Sequence, residues 1–240
     1  MRTLLLAMLL CLPLANAVTT PLVLEVEDVF RITEASLGST KVTPTAGAGA
    51  NITLRVRTSD PATVVALFLD QVIELDGSDV FEAALHLSYA MPPGNYSIEL
   101  MASNGEETVS QVLTFVYAPL AAVLLDIPEL RFGRLVPGET TLVEGDSDLS
   151  TAKPTIYNAG NVPVNLAISA ETPYAGEEKI ALANVQFAIG NDDYGPLKTA
   201  TQVKNVSLKP GEALPLNLKI SVPYASSGGT YVGALRITAR

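Results

Sequence analysis

Apolar and polar residues alternate one by one along most of this 240-residue chain. In ALPLNLKISVP (213–223), Leu214, Leu216, Leu218, Ile220 and Val222 fall on one face, and Pro215, Asn217, Lys219 and Ser221 on the other. A period of two marks a half-buried β-strand. A helix would scatter the five apolar positions around its axis, and Pro215 would break it. Proline brings no ladder donor, so Pro215 also predicts an edge or bulged strand. Val162, Val164, Leu166 and Ile168 repeat the pattern, with Pro163 near the start of the run. Ile52, Leu54 and Val56 alternate in the same way with Thr53, Arg55 and Arg57. TVVALFLDQVIEL (63–75) would also suit a short buried helix; it reads here as strand–turn–strand, reversing near Asp70-Gln71.

Turn residues punctuate these runs. Between TIY and VPVNLAIS stands Asn158-Ala159-Gly160-Asn161, whose Gly and Asn tolerate the positive φ of a tight reversal. LVPGE (135–139) recurs as LKPGE (208–212), and PPGN occupies 92–95. Pro-Gly suits the two central positions of a type II turn. Asn104-Gly105 marks a further hairpin. Short strands between frequent turns predict an all-β chain of antiparallel sandwiches. ETVSQVLTFVY closes one set of strands and LAAVLLDIPELRFG opens another, which places a boundary near Ala118-Pro119. The expected organisation is a leader (1–17), a first sandwich (18–118) and a second (119–240).

The leader reading comes from MRTLLLAMLLCLPLANA. Arg2 is followed by an apolar run, Leu4 to Leu14, and the small-x-small site Ala15-Asn16-Ala17 predicts cleavage after Ala17. At about eleven residues the run falls short of the ~20 that span a bilayer. The single cysteine, Cys11, leaves with it. The mature chain is therefore expected to have no disulfide, no thiolate nucleophile and no transmembrane anchor. Export to the outside or the cell surface follows. Net charge is −10, with no cluster of Lys and Arg, which argues against nucleic acid as a partner.

Beyond the alternation, ALFLDQVIEL with MPPGNYSIELMASNG resembles the immunoglobulin-like modules of secreted bacterial and archaeal surface and filament proteins. LRFGRLVPGE, IYNAGNVPVNLAI, VSLKPGEALPLNLKISVP and GGTYVGALRITA look like a second such module. The resemblance implies two tandem immunoglobulin-like sandwiches, with Tyr96 packed at a sandwich corner. It brings no catalytic residues.

Little other chemistry is legible. His86, the only histidine, lies in an alternating run without a partner motif, and no nucleophile elbow, Walker loop or dinucleotide fingerprint occurs. The expectation is no enzyme and no obligatory cofactor. Two acidic loops, with Glu144, Asp146 and Asp148 in one and Asn191, Asp192 and Asp193 in the other, are candidate calcium ligands if they converge. Asn51, Asn95 and Asn205 begin glycosylation sequons, each placed opposite its neighbouring apolar face. The leading expectation is a non-catalytic extracellular structural or adhesion protein with protein partners, self-association included. In its sharper form, residues 18–32 extend a neighbour's sheet in a filament; otherwise Leu22, Leu24 and Val26 form the first strand of their own domain. The alternative is a carbohydrate- or protein-binding accessory module with an aromatic platform from Tyr174, Tyr194 and Tyr224. An assembly chaperone would need a basic cleft, for which Arg55 and Arg57 are candidates.

Overall fold

The computed structural model describes residues 29–240. The leader, its cleavage site, Cys11 and the run Leu22–Leu24–Val26 lie outside these residues. The chain is all-β and organises around two hydrophobic cores, one from Phe30 to Tyr117 and one from Val123 to Ala239.

In the N-terminal half the strands are β1 (Ile32–Leu37), β2 (Lys41–Val42), β3 (Ala50–Thr58), β4 (Thr63–Phe68), β5 (Gln71–Gly77), β6 (Val80–Leu87), β7 (Gly94–Ser103) and β8 (Thr108–Tyr117). They hydrogen-bond in the order β1-β3-β6-β5-β4-β7-β8-β2. β1 runs antiparallel to β3, then the chain changes layer and β2 pairs parallel with β8. β5 pairs first with β4 and then, at Asp76 and Gly77, with β6, joining the two layers. Ile52, Leu54 and Val56 point into the core while Thr53, Arg55 and Arg57 stay exposed, as their alternation predicts. Phe30 and Ile32 belong to this core too, so the expected extension 18–32 ends before residue 30.

Residues 63–75 form a strand hairpin. Phe68 pairs with Gln71, which puts the reversal at Leu69-Asp70, one residue earlier than expected. A shift of one would turn Phe68, 4 % exposed, out of the core. Leu69 takes a left-handed φ of 52°.

In the C-terminal half the strands are β9 (Val123–Leu125), β10 (Thr140–Val143), β11 (Thr155–Asn158), β12 (Val164–Ala170), β13 (Tyr174–Ala175), β14 (Glu178–Lys179), β15 (Val185–Ile189), β16 (Gly195–Pro196), β17 (Gln202–Leu208), β18 (Ala213–Ser221) and β19 (Leu235–Ala239). One layer runs β16-β15-β18-β11-β9, with β10 also on β18; the other is β17-β12-β19, and β13 and β14 form a small hairpin. β18 therefore lies inside its sheet, against the expectation of an edge. Pro215 is tolerated because its missing donor falls just past the end of β15: the ladder stops at Ile189–Leu216, and Gly190 then donates to the Pro215 carbonyl.

The two Pro-Gly-Glu turns are built alike. Gly138 (φ 86°) and Gly211 (φ 76°) take the left-handed site that a type II turn demands. The Glu139 and Glu212 N–H groups donate to the Val136 and Lys209 carbonyls, and their carboxylates accept the Val136 and Lys209 N–H groups in return. PPGN departs from this plan. Gly94 is not left-handed; it opens β7 opposite Tyr117, and the turn lies upstream, where Met91 N–H meets the Ser88 carbonyl.

Candidate functional site

The segment expected to make a tight hairpin, Asn158 to Asn161, does something else. β11 and β12 lie in different layers, so the segment crosses the sandwich, and neither asparagine takes a positive φ. Asn158 and Asn161 are instead buried, and their amides act as connectors. Asn158 Nδ2 donates to the Val162 and Leu208 carbonyls, and its Oδ1 accepts from Gly160 N–H. Asn161 Oδ1 accepts from Leu120 N–H at 2.6 Å, and its Nδ2 donates to the Ala118 carbonyl at 3.0 Å.

These bonds hold the chain that joins the two halves. Backbone bonds from Ala159 N–H to the Ala122 carbonyl and from Asn161 N–H to the Leu120 carbonyl extend the β9–β11 pairing back along the linker. A Cβ at Gly160 would run into the Leu120 carbonyl, so only glycine lets the two segments lie this close. From the N-terminal half, Gly47 N–H reaches the Ala159 carbonyl at 2.8 Å. Tyr117, fully buried at the end of β8, donates its hydroxyl to the Ser88 carbonyl. Burial, with Tyr96 nearby, raises its pKa and keeps that donor in place. Tyr157 is raised likewise, by burial first and then by Tyr89 and Asp126. Each residue of the four is thus occupied at the junction. Alternation could not reveal it; paired asparagines flanking Ala-Gly were the available signal.

The acidic loops lie beside the same stretch of β18: Gly145 N–H meets Asn217 Oδ1, and Gly190 N–H meets the Pro215 carbonyl. Their carboxylates do not gather. Among the described residues no three His, Cys, Asp or Glu side chains are grouped to hold a metal ion. Asp146 accepts from Asp148 N–H and from the Thr151 and Thr155 hydroxyls, and Asp148 accepts from Ser150. Asp192 meets Lys204 at 3.9 Å, and the pKa of Tyr194 is raised, by burial first and then by the charge of Glu144.

Tyr174, Tyr194 and Tyr224 are all exposed, Tyr224 at 88 %, but they occupy separate places. Tyr224 lies over Gly138, before β10, and Tyr194 lies near Glu144, beyond the other end of that strand. Tyr174 bridges to Val232. The aromatic stacking among the described residues is inside the first core, between Phe68, Tyr96 and Phe115. Arg55 pairs with Glu82 at 3.5 Å, which leaves Arg57 alone of the two candidate cleft residues. His86 is exposed and bonds to Asn51 Oδ1. Asn51, Asn95 and Asn205 are exposed; Asn205 sits in a bulge where β17 shifts register against β12.

Tyr96 is a sandwich-corner tyrosine. It is half-buried against the core at the start of β7, and its hydroxyl donates to the Pro92 carbonyl four residues upstream, at 2.7 Å. Tyr231 makes the same bond to Ser227, at 3.0 Å, just ahead of β19. The two halves therefore share this device as well as the Pro-Gly-Glu turn.

The chain matches no family model and no curated protein. Among solved structures it is similar to a chaperone–tip adhesion subunit pre-assembly complex from archaic chaperone-usher Csu pili of Acinetobacter baumannii. There identity is 11 % over 87 % of this chain and 92 % of that one, with a TM-score of 0.39. It is also similar to a chimeric titin tandem carrying a fibronectin peptide (16 % identity, 88 % and 97 % covered, TM-score 0.27). A titin tandem of immunoglobulin domains gives 11 % identity, 86 % and 95 % covered, and a TM-score of 0.25. Likenesses this distant carry no functional argument. The all-β, immunoglobulin-like class rests on the strand order and the corner tyrosine of the chain itself.

Proposed function

We propose that this chain is a non-catalytic structural or adhesion protein of the cell surface that is exported by its leader and associates with protein partners, copies of itself included. The observation that carries the reading is the bonded junction. Asn161 ties the linker to the C-terminal half while Gly47 ties the N-terminal half to Ala159. Two sandwiches held in one orientation transmit load and present a surface at a fixed distance, which a mobile linker would not do. Exposed sequons at Asn51, Asn95 and Asn205 suit an exported surface. The separated tyrosines give the accessory sugar-binding reading no platform to favour it.

The test is to purify the secreted protein, read its N-terminus by mass spectrometry, and follow it by sizing chromatography and negative-stain microscopy. Val18 is expected as the first residue, with oligomers or filaments of particles of constant shape. A retained Met1, or a monomer whose halves take many relative orientations, would overturn the reading.

A further inference from the structure

An antiparallel sheet with one face on a core ordinarily carries polar side chains on its other face. The β4–β5 hairpin departs from that rule. The run Val64 to Phe68 is apolar at every position, as in strands covered on both sides, yet the core takes only Val64, Ala66 and Phe68. Val65 and Leu67 point outward. The register sets Met101 beside Val65 and Val72 beside Leu67, with Val112 next along the Leu67 row, after Glu99. None of the five packs against the core, and Val72 and Val112 are 67 % and 58 % exposed. Five neighbouring apolar side chains on a four-stranded face mark a surface that another surface covers.

The charges around them narrow what that surface is. β4, β5, β7 and β8 contain no Lys or Arg, while Glu74 and Glu99 stand directly beside Val65 and Leu67. Two such faces would repel one another. In the C-terminal half the balance is reversed. β12, β17 and β19 contain no Asp or Glu, although the whole chain has 25 acids to 15 bases. Their outward face sets Val203, Ala167 and Thr238 in one row and Ser169 and Arg236 in the next. Ala167 and Ser169 are small, so the middle strand forms a shallow trough between Val203 and the side chains of β19. Glu74, Glu99 and Arg236 form no ion pair among the described residues.

We propose that the outer face of β4, β5, β7 and β8 packs on the outer face of β12, β17 and β19 of a second copy of the chain. This rests on the self-association reading above and names its contact. Val65 and Leu67 make the ridge that the trough over Ala167 and Ser169 admits, and Arg236 brings the positive charge that Glu99 lacks. Sheets stacked face to face lie about 10 Å apart, a gap that side chains of these sizes fill. Val72, Val112 and Val203 are all exposed in the single chain, so neither half covers the face of the other. The contact joins unlike surfaces and each copy offers one of each, so it propagates head to tail.

The test follows the mature chain by sedimentation velocity over a range of concentrations. The unmodified chain is expected to self-associate. Val112→Lys and Arg236→Glu, both at exposed positions, are each expected to weaken association about tenfold or more with the melting temperature unchanged, and Val72→Lys serves as a second probe of the first face. An equimolar mixture of Val112→Lys and Arg236→Glu is expected to form heterodimers and stop there, because each variant keeps the face that the other has lost. Self-association that none of these substitutions weakens would overturn this contact while leaving the surface-association reading standing. Variants that lose association yet form no heterodimer would overturn the pairing of unlike faces. A full chain that stays monomeric, with Val112→Cys open to a thiol reagent, would overturn both this contact and the self-association it rests on. A monomer whose Val112→Cys is shielded from the reagent would show that the chain covers its own face, and would overturn the second-copy assignment.

Discussion

Asp146 fixes the connection between β10 and β11 from a single carboxylate. It accepts from the Asp148 N–H and from Thr151 and Thr155, and Thr155 is itself fully buried at the start of β11. The Asp148 N–H bond is the main reason its pKa is lowered, with the hydroxyls and Lys153 adding. A lowered folded-state pKa contributes stability above the unfolded carboxylate range, about pH 4, which is lost as pH falls through the folded value. Asp146→Ala is therefore expected to melt below the unmodified chain at neutral pH, with the gap closing as both are taken into strong acid. Thermal melts across that range check this. A gap that stays constant with pH would mean that neutral hydrogen bonding alone holds the loop.

At the scale of elements, the β4–β5 hairpin contains a local conflict. Leu69 is the only non-glycine residue with positive φ among those described, and its side chain is 68 % exposed. Holding an L-residue there costs about 1–2 kcal/mol, partly offset in glycine by its larger loss of chain entropy, about 0.5–1 kcal/mol. Leu69→Gly is thus expected to stabilise the chain by about 0.5–1 kcal/mol, read as a higher denaturant midpoint at unchanged slope. A loss would show that the exposed leucine has a contact worth more than its strain. This conflict was invisible to pattern reading, whereas the strands around it were not. Alternation located β3, β12 and β18 because one face of each meets the core, and the glycines of the Pro-Gly-Glu turns were legible because φ is a local property. Pro215 misled because a missing donor is harmless wherever the neighbouring strand has ended, which only the register of β15 reveals. Asn158 and Asn161 misled for a related reason: asparagine signals a turn by composition, but its amide can equally satisfy distant backbone groups. Which of the two it does depends on what the chain brings alongside.

For the whole molecule, the question is whether the halves behave as one body. Their cores are distinct, and the sequence alone expects fragments 18–118 and 120–240 to fold separately. The junction adds a coupling that this division would break, because the carbonyl of Ala118 and the N–H of Leu120 are both satisfied by Asn161, itself 2 % exposed. Removing that amide leaves two polar backbone groups without partners, each costing about 1–3 kcal/mol when buried. Asn161→Ala is therefore expected to lower stability by about 2–4 kcal/mol, below the sum of two fully buried groups because the half-buried Leu120 N–H regains part of its cost from water. The loss should appear as decoupling. Calorimetry of the unmodified chain is expected to give one transition, and the variant two, with the C-terminal half melting first because the Asn161 side chain that fastened Ala118 and Leu120 to it is gone. Fragment 120–240, which lacks Ala118, should melt close to that first transition. If the unmodified chain already melts in two steps, and its C-terminal step matches the isolated fragment, the junction bonds orient the halves without coupling their folding. One shared transition that Asn161→Ala splits would make this buried amide, in a segment that reads as a turn, the point that couples the folding of the two halves.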